Sequence, residues 1–207
     1  MAFYPLYIDL ESKKCVVIGG GDVAERKVMS LIECGADVTV VSPQFTPGLA
    51  RLAEEGRITA TGRGYEPGDI DGATLAIVAT DNNELNRQVH QEATEKNIPV
   101  NVADVPELCS FIVSSTVRRG DLVISISTSG SCPALAKHIR KRLQHAFGSE
   151  YARYCEVLKE FRAQIAGRYD EPEERKQALN RLLKSDVLDL IKEGKDGEVE
   201  ERVRSCI

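Results

Sequence analysis

Apolar runs alternate with amphipathic segments over the first half of the chain. Continuous apolar runs lie at Cys15–Ile18 and Leu75–Ala79, and apolar runs that include polar residues lie at Ala36–Val41, 58–61 and 98–102. Each run is long enough for a buried strand, and the segments between them carry apolar residues at helical spacing. Strands that alternate with helices in this way predict a Rossmann-like α/β fold with a parallel, doubly wound sheet.

The pattern changes near Asp104. Two β-rich runs, 111–117 and 122–127, flank the polar residues Arg118–Asp121, and this order predicts an antiparallel hairpin. A strongly basic helix is predicted over Ala134–Gln144. Further helices are predicted over Tyr151–Ile165, over Pro172–Lys184 and from Val187 onward, with a break at Gly194–Gly197. The sequence therefore predicts an α/β domain at 1–113, a small α+β region at 114–149 and a C-terminal helical domain at 150–207.

A glycine-rich turn follows the first predicted strand. Gly19, Gly21 and Ala24 match the G-x-G-x-x-G/A pattern of dinucleotide-binding turns. The glycines allow a sharp turn and the close approach of a pyrophosphate, and the following helix directs its positive dipole end at this anion. A turn used only for packing is the alternative, but the apolar strand and the amphipathic helix on either side favour dinucleotide binding. The predicted cofactor contacts here are Gly19, Gly20, Gly21, Asp22, Val23 and Ala24.

Polar residues follow the second and the fourth predicted strands of this domain. Ser42, Pro43 and Gln44 stand where many NAD-binding folds carry an acidic residue for the ribose hydroxyl. No carboxylate is available there, and no Arg or Lys is adjacent for a 2′-phosphate. The motif alone therefore leaves both NAD and NADP open, although we expect NADP to bind less well. Thr80 and Asp81 are predicted to line the same crevice, with capping of the next helix as the alternative.

Composition and charge disfavour several classes of protein. The hydrophobic fraction of 42% in 207 residues is sufficient for a packed core, and the net charge of −5 disfavours nonspecific nucleic-acid binding. No apolar run is long enough to span a membrane, and residues 1–5 lack the features of a signal peptide. The six cysteines lack C-x-x-C spacing, which favours reduced thiols and a cytoplasmic location over disulfides. The three histidines form no metal-ligand cluster, and His90 is expected to lie at the surface.

Three segments, taken together, resemble a known family. Cys15–Lys27 is similar to the opening strand, turn and helix of the precorrin-2 dehydrogenases of siroheme biosynthesis. Asn101–Ile112 and Ser127–Ala136 resemble the second and third signatures of that family, in the same order. Within the third signature, Thr128 and Ser129 stand where the family's loop often has Ser and Gly. The chain carries no methyltransferase-sized extension, so it resembles the stand-alone members.

The resemblance implies a reaction and the residues that perform it. The implied reaction is oxidation of the tetrapyrrole precorrin-2 to sirohydrochlorin, with NAD as the hydride acceptor. Asp104 is the implied catalytic base, with a turn or capping role as the alternative. Some members of the family also insert iron, so ferrochelatase activity on sirohydrochlorin, with Fe²⁺ as a substrate, stays open. The implied substrate-binding residues are Ser127, Thr128, Ser129 and Gly130.

The resemblance also implies an intertwined homodimer, with 114–149 as the dimerisation region. Because the substrate carries many carboxylates, basic side chains are candidates to bind it, with ordinary solvated charges as the alternative. These candidates are Arg118, Arg119, Lys137, Arg140 and Lys141. A protein of a different class, a sensor or partner-binding module that holds NAD without chemistry, explains the glycine turn. It does not explain the second and third signatures together.

Overall fold

Residues 3–207 are described by a computed structural model and divide into two units. The first unit ends at Val113, and the second runs from Ser114 to Ile207. Met1 and Ala2, which begin the segment expected to lack signal-peptide features, lie outside the described residues.

The first unit contains a parallel sheet with helices on both faces. Its strands are β1 (Lys14–Ile18), β2 (Asp37–Val41), β3 (Thr59–Thr61), β4 (Leu75–Val78) and β5 (Val100–Val102). Its helices are α1 (Asp22–Ile32), α2 (Pro47–Glu54), α3 (Asn83–Glu95) and a short 3₁₀ helix (Pro106–Leu108). The strand order is β3-β2-β1-β4-β5, and every pair is parallel. The predicted Rossmann-like sheet is confirmed, although β3 and β5 begin slightly later than the apolar runs that predicted them.

Successive residues of β1 point to opposite faces of the sheet and join two apolar layers. Cys15 and Val17 pack with α1 and α2 on one face, whereas Val16 and Ile18 pack with α3 on the other. All four side chains are at most 1% exposed, and burying one such aliphatic side chain contributes about 1.5–3 kcal/mol. A strand that is buried on both faces needs a continuous apolar run, which is why the sequence pattern identifies β1 so clearly.

The second unit begins with a hairpin and continues as helices. Strands β6 (Ser115–Arg119) and β7 (Leu122–Ile126) pair antiparallel, as predicted. The helices are α4 (Pro133–Ala146), α5 (Glu150–Arg168), α6 (Pro172–Leu183), α7 (Val187–Lys192) and α8 (Asp196–Ser205). The predicted break at Gly194–Gly197 is too long, because α8 already begins at Asp196.

The last four helices share an apolar core of their own. Phe161 from α5, Leu182 from α6 and Val187 from α7 have no exposed surface and lie in one cluster with residues of α8. Within the described residues 3–207, no helix is both long enough and apolar enough to cross a membrane.

Candidate functional site

The chain order of the sheet reverses at β1, which lies between β2 and β4. Parallel sheets of this type bind ligands in the crevice outside the carboxyl ends of the strands at such a reversal. Gly19–Ala24 follow β1, Ser42–Gln44 follow β2, Thr80–Asp81 follow β4 and Asp104 follows β5. The structure therefore brings these predicted site residues to one edge of the sheet. The predicted substrate loop, 127–130, belongs to the second unit.

Gly19 and Gly20 are required by close approaches of the backbone. Gly19 has a φ of +118°, and a Cβ atom built on it would lie 2.2 Å from the carbonyl oxygen of Ala79. A Cβ atom on Gly20 would lie 1.9 Å from the carbonyl oxygen of Gln44. The Gly20 carbonyl also accepts a hydrogen bond of 2.9 Å from the Thr46 N–H. These two glycines thus join the turn to the chain that follows β4 and β2.

Gly21 differs from its neighbours because the space beside it is open. A Cβ atom on it would meet no atom of residues 3–207 within 4 Å. Gly21 is the N-cap residue of α1, and no side chain in the described part of the chain caps this helix. By contrast, the Thr46 and Asn82 side chains cap α2 and α3. The start of α1 therefore presents backbone N–H groups to an open surface, which fits the pyrophosphate of a dinucleotide.

The three residues after β2 do not contribute equally to this surface. Ser42 is 7% exposed, and its hydroxyl donates a hydrogen bond of 2.7 Å to the Gln44 carbonyl. Because the Ser42 hydroxyl already donates its proton within the loop, it is not free to donate to a ribose. Pro43 and Gln44 are exposed, so the Gln44 amide is the better-placed polar group for a ribose.

Arg63 is a basic residue at the same edge of the sheet as Ser42. The sequence did not reveal it, because Arg63 is not adjacent to Ser42 along the chain. Val41 pairs with Thr61 across β2 and β3, and the Ser42 N–H donates to the Thr61 carbonyl at 3.1 Å, so Arg63 leaves the sheet at the same edge. Its guanidinium forms two hydrogen bonds, of 2.7 and 2.8 Å, with the Asp69 carboxylate. These bonds hold the pKa of Asp69 below its usual range. The positive charge of Arg63 is thus already paired.

Thr80 and Asp81 follow β4 and lead into α3. The Thr80 hydroxyl donates to Asn86 Oδ1 at 2.7 Å, and Asn86 is only 2% exposed. Asn82 Oδ1 accepts hydrogen bonds from two N–H groups in the first turn of α3. Capping, the alternative proposed for this segment, is therefore confirmed for Asn82. Asp81 remains exposed at the carboxyl edge.

Asp104 lies in an exposed turn directly after β5. Its φ of +61° falls in the left-handed region, which Asp tolerates better than most residues do. The Val105 N–H donates to the Val102 carbonyl at 3.3 Å, and the Ala103 N–H donates to the Val78 carbonyl at 2.8 Å. The turn thus holds a carboxylate at the edge where a bound dinucleotide is expected.

Lys27 on α1 interacts electrostatically with Asp104. Burial and the neighbouring Arg26 lower the pKa of the Lys27 ammonium, whereas the negative charge of Asp104 opposes this shift. The first signature quoted above ends at Lys27, but the sequence assigned it no role. Its position in the second turn of the helix that follows the glycines was the available signal.

The predicted substrate loop is ordered by its own hydroxyl groups. The Ser129 N–H donates to Ser127 Oγ at 2.9 Å, and the Cys132 N–H donates to Thr128 Oγ1 at 3.1 Å. Ser129 has a φ of +52° and the next residue, Gly130, a φ of +84°. Ser129 therefore adopts the left-handed conformation that a glycine would favour, at a cost of about 1–2 kcal/mol.

Arg119 is a less suitable candidate for binding an anionic ligand than the other basic residues, because its guanidinium already bonds to backbone carbonyls. Its guanidinium donates to the Phe147 carbonyl at 2.9 Å and to the Gln144 carbonyl at 3.2 Å. These bonds hold β6 to the C-terminal end of α4, where helix carbonyls lack partners in the helix itself. The candidates on α4 that remain are Lys137, Arg140 and Lys141.

His90 has a structural contact that the sequence did not predict. It is half-buried on α3, and its Nδ1 lies 2.9 Å from the Leu108 carbonyl oxygen, so the surface role expected for it is wrong. Among residues 3–207, no three His, Cys, Asp or Glu side chains converge as metal ligands. None of the six cysteines, all of which lie within residues 3–207, forms a disulfide.

Three family models match successive parts of the chain. A model described as putative NAD(P)-binding matches residues 6–115. Models described as the sirohaem biosynthesis protein central region and the sirohaem synthase dimerisation region match 119–146 and 150–207. The dimerisation description thus belongs to the helical segment, whereas the sequence predicts that role for 114–149; the latter stays a prediction.

Curated relatives and a solved structure agree with these models. The chain is 38% identical over 207 residues to the siroheme synthase of Thioalkalivibrio sulfidiphilus, covering 100% of this chain and 42% of that protein. It is 43% identical over 176 residues to the siroheme synthase of Methylobacillus flagellatus, covering 85% and 38%. The chain thus spans less than half the length of these relatives. The structure of SirC, precorrin-2 dehydrogenase, matches with a TM-score of 0.78 at 23% identity, covering 98% of this chain and 100% of SirC, which shows a shared fold.

Proposed function

Because this chain belongs to the siroheme-biosynthesis family built on an NAD(P)-binding domain, we propose that it oxidises precorrin-2 to sirohydrochlorin with NAD⁺. One observation carries the proposal: the uncapped start of α1 and the exposed Asp104 lie at the same edge of one parallel sheet. A dehydrogenase of this kind needs a dinucleotide site beside a proton acceptor. The names of the similar proteins, siroheme synthase and precorrin-2 dehydrogenase, support the substrate class.

The residues around the α1 turn fit a dinucleotide. The open space beside Gly21 leaves room for a pyrophosphate, and the first N–H groups of α1 would donate hydrogen bonds to its oxygens. The Gln44 amide is the proposed ribose contact. We propose NAD over NADP because Arg63, a cation that follows β3 at this edge, is paired with Asp69. A bound nicotinamide supplies the hydride acceptor.

Oxidation of the macrocycle removes one hydride and one proton. Asp104 is the proposed acceptor of the proton, because an aspartate carboxylate at this edge can act as a general base. Lys27 places a positive charge near that carboxylate, and this charge suits a substrate with many carboxylates of its own. Asp104 thus accepts the proton, and Lys27 attracts the carboxylates of the substrate.

The loop 127–130 is the proposed contact for the carboxylates of the tetrapyrrole. Its hydroxyl-bearing residues precede α4, whose N-terminal end favours negative charge. Lys137 and Lys141 are exposed on the same helix. Hydroxyl groups, helix dipole and ammonium groups together suit a ligand with several negative charges.

A cytoplasmic homodimer is the proposed state of the protein. The match of 150–207 to a dimerisation region supports the dimer. Six cysteines, none of them in a disulfide, support a reducing compartment. Precorrin-2 and sirohydrochlorin are the proposed small-molecule partners.

An anaerobic turnover assay with precorrin-2 and NAD⁺ tests the proposed reaction. We expect NADH and sirohydrochlorin to form in equal amounts. Tight NAD⁺ binding without turnover would instead favour the non-catalytic sensor. A parallel assay with sirohydrochlorin and Fe²⁺ or Co²⁺ tests whether the protein is also a ferrochelatase.

A further inference from the structure

The free edge of β5 is covered by side chains. Within the described sheet, β5 pairs only with β4. The Val100 N–H donates to Ser110 Oγ at 2.8 Å, and the Ser110 N–H donates to the Val100 carbonyl at 2.9 Å. Two residues further along, the Val102 N–H donates to Cys109 Sγ at 3.2 Å. Cys109 and Ser110 therefore satisfy backbone groups that an edge strand would otherwise leave unpaired.

The Cys109 thiol contacts both ends of the turn that carries Asp104. Its Sγ lies 3.2 Å from the Val102 carbonyl oxygen and 3.4 Å from the Val105 carbonyl oxygen, so its single proton can be donated to either. Burial raises the pKa of the thiol, which keeps this donor protonated at neutral pH. The carbonyl oxygen of the neighbouring Leu108 lies within hydrogen-bond distance of His90 on α3. The thiol is therefore presented to the turn by a segment that is itself anchored.

Asp104 needs such support because of its backbone conformation. Its φ of +61° is less favourable for a residue with a side chain than a helical or extended conformation. The backbone closes the turn with a hydrogen bond from Val105 to Val102 of 3.3 Å, which is long for an N–H···O bond. The thiol can bridge the same two residues, because it accepts from the Val102 N–H while it donates its proton to the Val105 carbonyl.

We propose that Cys109 is a positioning residue for Asp104. Its thiol holds the left-handed turn closed and so keeps the carboxylate where it can accept a proton from the substrate. The inference rests on the proposed dehydrogenase function of Asp104. Cys109 contacts neither cofactor nor substrate in this scheme, because it acts through the turn.

Cys109→Ala and Cys109→Ser, made in the full chain, test the proposal. Alanine removes both donor and acceptor, so we expect kcat for precorrin-2 oxidation to fall by roughly tenfold to a hundredfold, with the KM for NAD⁺ unchanged. Serine keeps both functions and should restore part of the loss. Cys34→Ala is the matched control, because it also removes a half-buried thiol. Cys34 lies between α1 and β2, at the amino ends of the strands and therefore away from Asp104.

A double variant separates positioning from a general loss of stability. In an Asp104→Asn background, Cys109→Ala should lower kcat no further, because the carboxylate that it positions is absent. A further fall as large as in the wild-type background would overturn the proposal. A Cys109→Ala enzyme with wild-type kcat would also overturn it.

Amide hydrogen exchange gives a readout that does not depend on turnover. The amides of Val102 and Val105 should exchange roughly tenfold faster in Cys109→Ala than in the wild type, with Cys109→Ser between them. Unchanged exchange at both amides would contradict the proposal. Faster exchange in a protein that never oxidises precorrin-2 would refute the dehydrogenase function and leave the thiol's structural contact intact.

Discussion

The Cβ position of Gly19 lies 2.2 Å from the carbonyl oxygen of Ala79, so the turn after β1 is built directly against the end of β4. This contact alone excludes a side chain at Gly19, whatever the turn binds. Two residues later, Gly21 has open space beside it. One glycine of the motif therefore serves the fold, and the other leaves room for a ligand.

Substitutions at these two glycines should have opposite effects. Gly19→Ala should lower the Tm by roughly 10 °C, because the new side chain meets backbone and a φ of +118° is strained. Gly21→Asp should keep or raise the Tm, since Asp is a favourable N-cap residue. It should nevertheless weaken NAD⁺ binding by roughly tenfold or more, about 1.4 kcal/mol, by placing a negative charge at the pyrophosphate.

Thermal melts followed by circular dichroism and calorimetric titration with NAD⁺ measure both effects. Wild-type affinity in Gly21→Asp would exclude this turn as the cofactor site. A wild-type Tm in Gly19→Ala would show that the β4 contact is unimportant.

Local patterns in the sequence were sufficient to predict the sheet and the glycine turn. Strands buried on both faces must be apolar throughout, so β1 and β4 were visible as runs of Val, Ile, Leu and Ala. The close approach of Gly20 to Gln44 was not visible, because it joins residues that are distant in sequence. The same holds for Arg63, whose place beside Ser42 depends on the pairing of β2 with β3.

The structural role of Cys109 was equally hidden. It lies within the second signature, but its bonds to Val102 and Val105 form only because the chain at Cys109 folds back beside β5. The resemblance identified Asp104 from its neighbours in sequence. It could not show that Asp104 adopts a left-handed conformation, because that depends on how the turn is closed.

Cofactor preference should depend on the pairing of Arg63. The wild-type protein should bind NAD⁺ more tightly than NADP⁺, because Asp69 occupies the guanidinium. Asp69→Asn should narrow this difference several-fold by freeing a cation for the 2′-phosphate. Equilibrium titrations with both cofactors measure the ratio, and Asp69→Asn combined with Arg63→Ala is the control that should restore the preference. Tighter binding of NADP⁺ by the wild type would contradict the assignment.

The same ion pair should contribute to acid sensitivity. Hydrogen bonds from Arg63 lower the pKa of Asp69 in the folded state, so the stabilisation is present above the ordinary aspartate pKa of about 4 and is lost as the pH falls further. Asp69→Asn should reduce the free energy of unfolding by about 1 kcal/mol at neutral pH. The difference from wild type should disappear in urea titrations at acidic pH. A constant difference across this range would show that Asp69 acts without its charge.

Assembly is testable by sedimentation. We expect a homodimer at micromolar concentration. Hydrogen exchange measured above and below the dissociation concentration should then show which segment is protected, and the sequence predicts 114–149. A monomer at micromolar concentration would contradict the dimer. Protection confined to 150–207 would place the interface in the segment that matches the dimerisation model.

The central claim is that Asp104 accepts the proton during oxidation of precorrin-2. Asp104→Asn keeps the size and much of the hydrogen bonding of the side chain but cannot take up a proton as a carboxylate does. The variant should bind NAD⁺ normally, because the glycine turn follows β1 whereas Asp104 follows β5.

The direct measurement is the anaerobic rate of precorrin-2 oxidation by Asp104→Asn at saturating NAD⁺. The rate should fall by on the order of a hundredfold or more, as expected for the loss of a positioned acid–base group. A rate within a few-fold of the wild type would remove Asp104 from the chemistry and contradict the proposed mechanism.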